Sequence, residues 1–212
     1  MQQATTLCAG FRRLTLSSAA VDNTWQLGDR VLVSVDGHKH RTYTVCGLNR
    51  PRGTFDVLAV AHDRGPGGRW VTQAFEGDTI SFFGPKPDLD VRTRGAERIV
   101  LLGDETTVGL FEAIRRERRG EATYLGAYEW GPSCPVVSSG LPALDGLTDM
   151  RRHPTRPGQR LQAWVERHIV PTPRTVYFVN GHGAAVRALR LRLLSMGIRG
   201  AAIRSRAFWG RG

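Results

Sequence analysis

From Phe11 to about Pro87, apolar and polar residues alternate in short runs. Examples are Phe11-Arg12-Arg13-Leu14-Thr15-Leu16, Arg30-Val31-Leu32-Val33-Ser34-Val35 and Arg41-Thr42-Tyr43-Thr44-Val45-Cys46, continued by Thr54 to Val60 and Asp78 to Phe83. A period of two predicts strands with one buried face. Turn chemistry separates them at Leu27-Gly28-Asp29, Asp36-Gly37, Asn49 to Gly53 and Glu76-Gly77-Asp78, so a small antiparallel barrel or sandwich is expected. One short helical stretch, about Arg69 to Phe75, interrupts the strands.

The second half has another rhythm. Arg98-Ile99-Val100-Leu101-Leu102 is a continuous apolar run, followed by Gly103-Asp104-Glu105-Thr106 and then Val108, Phe111 and Ile114 at helical spacing. This is a βα unit. It recurs where Thr175 to Val179 leads through Asn180-Gly181-His182-Gly183 into Val186, Leu189 and Leu193. Ala122 to Tyr128 and Leu161 to His168 read as a further strand and helix, while Ser138 to Gly158 reads as loop. Strands alternating with helices imply a parallel sheet, with ligands at the carboxyl ends of its strands. The Gly-, Pro- and Asp-rich stretch Gly84 to Gly95 divides an N-terminal domain, 1–94, from a C-terminal domain, 95–212.

Composition narrows the function. The 212 residues carry 41% hydrophobic and 23% charged side chains, a globular balance, with 25 Gly and 11 Pro but no repeat. The net charge is +11, almost all of it from Arg, since Lys39 and Lys86 are the only lysines. Such a surplus suits anionic ligands, and it also suits a solvated surface. Nucleic acid is supported by charge alone, with no aromatic-basic sheet motif and no recognition-helix pattern. Cys8, Cys46 and Cys134 form no CxxC pair or disulfide framework. Without a leader or a membrane-length apolar run, a cytoplasmic location is expected.

Four segments carry candidate chemistry. In Arg41-Thr42-Tyr43-Thr44 the alternation puts Arg41 and Tyr43 on one strand face, where a guanidinium could pair with phosphate and a phenol ring stack on a flat cofactor; the same spacing occurs in ordinary half-buried strands. His62 to Trp70 includes Gly65-Pro66-Gly67-Gly68-Arg69, a turn or a phosphate cradle opening a helix. Asp104, Glu105 and Thr106 sit at a strand-to-helix turn where a nucleotide would bind, and are equally ordinary helix-start residues. Gly181-His182-Gly183 lacks the third glycine of a dinucleotide fingerprint, because Val186 stands in its place; His182 is expected as a solvated loop side chain. His38 and His40 have no carboxylate or thiol at metal spacing, so no metal is expected.

Taken in order, these segments resemble the siderophore-interacting protein family, flavin-binding ferric-siderophore reductases on the ferredoxin-NADP reductase plan. Arg41-Thr42-Tyr43-Thr44 matches its Arg-x-Tyr-Thr/Ser motif. Gly65 to Trp70 is similar to its Gly-Pro-Ala-Ser-x-Trp segment, Leu102 to Thr106 to its Gly-Asp-Glu-Thr turn, and Phe208-Trp209-Gly210-Arg211-Gly212 to its aromatic-Trp ending. The resemblance implies an FAD-binding antiparallel β-barrel, 1–94, followed by an NAD(P)H-binding-like α/β domain, 95–212. It implies cofactor contacts from Arg41, Thr42, Tyr43, Thr44, His62, Gly65, Gly67, Gly68, Arg69, Trp70 and Trp209, with Asp104, Glu105 and Thr106 on the nicotinamide side. The implied activity reduces a ferric siderophore with electrons from NADPH, NADH or a ferredoxin. Lys39, Arg50, Arg52, Arg204 and Arg206 are candidates for an anionic substrate. Departures cluster on the nucleotide side, with Thr107 to Phe111 and Gly181-His182 off the family pattern, so a flavin reductase or flavin-assisted biosynthetic enzyme is the alternative.

Overall fold

The computed structural model describes residues 1–8, 10–62, 64–118, 122–132, 134 and 140–210. Asp63 of the glycine-rich segment, Ser138 and Ser139 of the expected loop, and Arg211 and Gly212 of the chain ending lie outside the described residues. The chain forms two compact units. The first comprises Met1–Val91, Val108–Glu117 and the described residues of Ser133–Ala143; the second comprises Arg92–Thr107, Arg118–Pro132 and Leu144–Gly210.

The first unit is built on six antiparallel strands: β1 (Gln3–Cys8), β2 (Phe11–Ser17), β3 (Arg30–Ser34), β4 (His40–Asn49), β5 (Thr54–Val60) and β6 (Phe82–Lys86). They lie in the order β1-β2-β5-β4-β3-β6. Alternation does the work here, since Leu14 and Leu16, Val31 and Val33, and Phe55 and Val57 all point into one core around Trp25. The Trp25 and Phe55 rings meet at 4.9 Å, and Phe82 packs edge-on to Phe55 at 5.2 Å. Helix α1 (Gly65–Gln73) begins earlier than the apolar spacing indicates, because Pro66 in the first turn presets a helical φ and removes an N–H that would have no partner there.

Helix α2 (Val108–Glu117) packs on β4 and β5. Gly109 permits this, since a Cβ there would stand 3.1 Å from the Leu58 carbonyl oxygen. An ion-pair network secures it: Glu112 Oε1 takes Arg13 Nη2 at 2.7 Å and Arg116 Nη2 at 2.6 Å, and Arg116 Nη1 reaches Asp56 at 3.5 Å.

The second unit holds a parallel sheet of β7 (Arg98–Asp104), β8 (Thr123–Trp130), β9 (Thr148–Arg151), β10 (Thr175–His182) and β11 (Ile203–Trp209), in the order β11-β10-β7-β8-β9. Helices α3 (Gln159–His168) and α4 (Gly183–Ser195) cover one face, with Val100, Leu102, Tyr177 and Val179 packing against Leu161, Trp164, Val165, Leu189 and Leu193. The strand order reverses between β7 and β10, the place where open α/β sheets bind ligands at their carboxyl ends.

Three expectations need correction. The stretch read as loop contains β9 and a 3-10 turn at Pro142–Leu144; β9 is a four-residue edge strand, Thr-Asp-Met-Arg, with no buried residue, so no apolar pattern marks it. The strand expected at Asp78 to Phe83 lies later, at Phe82–Lys86, and runs into the segment taken as a boundary. His182 is the N-cap of α4, its Nδ1 accepting the Ala184 N–H at 3.2 Å, and is not a solvated loop residue.

Candidate functional site

In the first unit, β4 places Arg41 opposite Val33 and Tyr43 opposite Val31, both core valines, so the two side chains share that face of the strand. Thr42 and Thr44 point the other way. Tyr43 meets Trp70 of α1 with ring centroids 5.2 Å apart and planes inclined at 44°, and burial holds its phenol protonated well above the ordinary range. The glycines of α1 bring the motif residues together. A Cβ at Gly67 would stand 2.9 Å from Arg41 Cγ, and one at Gly68 would overlap the His62 ring. Gly65 has φ +71°, which favours glycine, and starts the helix without a side-chain cap.

These groups bring positive charge to the start of α1. The first turn of α1 keeps backbone N–H groups that no side chain caps, and Arg41, which donates to the neighbouring His40 carbonyl at 2.8 Å, lies against it. At the other end of α1, Arg12 Nη1 donates to the Val71 and Thr72 carbonyls at 2.5 and 2.8 Å, satisfying the negative end of the helix dipole. A diphosphate fits the uncapped turn and Arg41, and a flat ring system fits the Tyr43–Trp70 pair. The residues present therefore fit FAD. Arg69 follows Gly68 on α1 and is exposed.

In the second unit the carboxyl ends of β7 and β10 carry a network centred on Asp104, which is 3% exposed. Its Oδ2 accepts the His182 N–H at 2.9 Å and the Trp209 indole N–H at 2.9 Å, and its Oδ1 accepts the Thr106 N–H at 2.9 Å. Gly181, at φ +111°, is the position where a side chain would run into that carboxylate. Beside it Glu105 forms an ion pair with Arg152, whose guanidinium lies over the Trp209 ring at 4.9 Å from the centroid. The His182 ring meets the same indole edge-on at 4.6 Å. Burial and the Asp104 carboxylate push Glu105 up to about 7 against the pull of Arg152, while burial lowers His182.

Asp104, Glu105, Thr106 and Trp209 are thus brought together by the fold. Arg152 and Glu129 are the members that spacing did not reveal. Arg152 follows the unmarked strand β9, and Glu129, 1% exposed, accepts the Gly158 N–H at 2.8 Å ahead of α3. The basic candidates scatter. Lys39 pairs with Asp36 at 3.7 Å in the β3–β4 hairpin, Arg50 donates to the Asp22 and Trp25 carbonyls, and Arg52 ends an exposed turn. Arg204 donates to the Arg92 carbonyl at 2.7 Å and lies over Phe178, and Arg206 is on β11. Two cations outside that set, Arg30 and Lys86, stand opposite each other on β3 and β6, with Arg30 also opposite Thr44. Among the described residues no cluster of His, Cys, Asp or Glu could hold a metal ion, and no helix is long and apolar enough to cross a membrane.

A six-stranded antiparallel sheet followed by a five-stranded parallel one is the architecture of FAD-binding reductases of the ferredoxin-reductase type. The chain superposes over 98% of its length on 68% of the cytochrome P450 reductase from Amycolatopsis, at 17% identity and TM-score 0.75. It superposes over its whole length on 91% of a siderophore utilization protein from T. fusca (23% identity, TM-score 0.77) and on 90% of the siderophore-interacting protein from Aeromonas hydrophila (18% identity, TM-score 0.78). Residues 21–89 match the model of the siderophore-interacting FAD-binding domain. No curated protein matches the chain. The resemblance to siderophore-interacting proteins and the two-part reductase fold read from the motifs are both borne out, and the FAD-binding domain marks a flavin oxidoreductase type of fold.

Proposed function

We propose that the protein is an FAD-dependent oxidoreductase that reduces ferric siderophores in the cytoplasm and so releases iron, which oxygen-rich chelators hold less tightly as the softer ferrous ion. The observation that carries this reading is the convergence of Arg41, Tyr43 and the uncapped first turn of α1 within the segment that matches the siderophore-interacting FAD-binding domain. In it, residues 1–94 bind the flavin and 95–212 form the nucleotide-type half.

When bound, FAD supplies an acceptor for two electrons that passes them on singly. The chain supplies position and charge. Arg41 and the amides of Gly67 and Gly68 hold the diphosphate, with His62, Gly65 and Arg69 around it. Tyr43, backed by Trp70, stacks on the ring system, and the backbone of Thr42 and Thr44, whose side chains face the other way, borders it. Trp209 is held by Asp104 and Arg152 at the carboxyl end of the parallel sheet. A chain of net charge +11 attracts anionic ferric chelates, and Arg30, opposite Thr44 on one side and Lys86 on the other, adds positive charge to the sheet.

One observation favours a second reading, a flavin reductase or flavin-assisted biosynthetic enzyme. Where a dinucleotide domain presents donors to phosphate, this chain presents Asp104 and Glu105, and Asp104 already accepts the Thr106 and His182 amides. The arrangement is a poor fit for a nicotinamide dinucleotide, which makes a ferredoxin as strong a candidate donor as NADPH or NADH. The test is anaerobic turnover of a ferric siderophore by the FAD-loaded protein with NADPH, NADH and reduced ferredoxin in turn, ferrous iron being trapped by a coloured chelator. Trapped iron that scales with protein and requires FAD is expected. Flavin that is reduced by a donor and reoxidised by oxygen or free flavin, with no ferrous iron trapped, would establish the second reading.

A further inference from the structure

Tyr43 and Leu48 are five residues apart on β4, yet both pack against the core of the first unit, Tyr43 opposite Val31 and Leu48 opposite Phe55. In a regular strand, residues an odd number apart lie on opposite faces. The pairing resolves this at one place. Val45 pairs with Val57 and Gly47 with Asp56, so Cys46 is an extra residue with no counterpart on β5. Such a bulge shifts the register by one and moves the side chains beyond it to the other face. Without it, a strand that kept Leu48 beside Phe55 in the core would turn Arg41 and Tyr43 outward.

The bulge is held from the outer face. Cys46 is fully buried, and its Sγ donates to the Asp56 carbonyl at 3.4 Å. The Asp56 carboxylate accepts the Thr15 hydroxyl at 2.8 Å and pairs with Arg116 of α2 at 3.5 Å. Gly47 lies directly beneath that pair, and a Cβ there would run into both Asp56 Oδ2 and Arg116 Nη1. Arg116 is in turn fixed by Glu112 at 2.6 Å.

The geometry points to Gly47, Asp56 and Arg116 as positioning residues for the flavin site: by pinning the bulge at Cys46 they keep Arg41 and Tyr43 on the face that takes the cofactor. The inference rests on the flavin reading of that face. Bulges re-aim side chains at binding sites, and here the residues that fix the bulge stand on the side of the sheet away from Tyr43. Arg13 supplies the comparison. It pairs with the same Glu112 at 2.7 Å and so anchors α2, but it does so opposite Leu58, two residues along β5 from Asp56.

The test titrates flavin-free variants with FAD and reads the emission of the bound flavin at saturation, which contact with the Tyr43 and Trp70 rings should quench. Asp56→Ala and Gly47→Ala should weaken FAD binding about tenfold, the worth of one aromatic stack, and raise the emission at saturation. Arg116→Met should do both in smaller measure, and Arg116→Lys should restore wild-type behaviour. Arg13→Met should lower the unfolding temperature through looser anchoring of α2 and leave both flavin readouts unchanged. If Asp56→Ala and Gly47→Ala lower only the unfolding temperature, as Arg13→Met does, the inference is overturned. Should either of them fail to fold, Arg116→Met decides in its place by the same two readouts. Wild-type protein that binds no FAD would overturn the flavin reading itself, whereas tight, quenched FAD in every variant would leave that reading standing and remove this inference.

Discussion

The indole Nε1 of Trp209 donates to the Asp104 carboxylate at 2.9 Å, tying the last residue of β11 to the last residue of β7 with β10 between them. Asp104 is buried and serves three further donors, the His182 and Thr106 amides and the Thr106 hydroxyl. Asp104→Ala removes the acceptor of all four donors; those of the exposed Thr106 and Trp209 can turn to water, so only part of the set bears the cost of about 1–3 kcal/mol for a buried orphan. The expected loss of stability is roughly 3 kcal/mol, read by chemical denaturation. Trp209→Phe, which removes a single donor, should cost about 1 kcal/mol. Equal stability of Asp104→Ala and wild type would refute this role.

Glu105 is expected to titrate near neutrality. Burial and Asp104 raise its carboxyl to about 7, and Arg152 opposes them. The other charged groups facing the pair are His182 on β10, Arg187 on α4 and Glu129 on β8. Because the folded chain holds this proton more tightly than the unfolded one, the group's contribution to stability is full below pH 4.5 and is lost as pH rises through about 7. Carbon-13 NMR of labelled glutamate should show one side chain with a midpoint near 7 that vanishes in Glu105→Gln. A spectrum in which every glutamate titrates below pH 5 would contradict it.

Arg152 balances Glu105 and covers Trp209, and both members of the ion pair are largely buried, with side-chain exposures of 11% and 13%. Arg152→Ala should destabilise the protein most at alkaline pH, by about 3 kcal/mol, where Glu105 is left charged without its partner. It should also raise the Glu105 midpoint further, which a purely steric loss would not do. The same carbon-13 titration reads both.

Tyr43→Ala should weaken FAD binding about tenfold, the worth of a well-made aromatic stack. Gly68→Ala should weaken it more, because the added methyl would displace His62 from the first turn of α1. Arg12→Ala, at the opposite end of α1, should lower stability by about 1 kcal/mol while leaving FAD affinity nearly unchanged. Titration of the flavin-free proteins with FAD, followed by flavin fluorescence, separates the three.

What the sequence made legible follows from where periodicity is strong. The apolar run of β7 and the spacing of Val108, Phe111 and Ile114 state their structure outright, because buried parallel strands and amphipathic helices leave an unbroken signal. The Arg41-Tyr43 pairing was equally readable, since a strand can put those side chains only on one face. Arg152 was not. It follows an edge strand of polar residues, and its partners Glu105 and Trp209 lie 47 and 57 positions away, so only the folded sheet brings them together. His182 was misread for a related reason: β10 continues beyond its apolar run, so a residue that looks like loop is the N-cap of α4. Arg30 and Lys86 became a pair only through the β3–β6 register.

The central claim, a flavin site built from Arg41, Tyr43 and α1, is tested most directly by the visible absorbance spectrum of the purified protein after incubation with excess FAD and removal of the free cofactor. The account predicts bound flavin bands in stoichiometric amount, which bleach on anaerobic reduction and return when a ferric siderophore is added. A protein that emerges colourless from that incubation would contradict it.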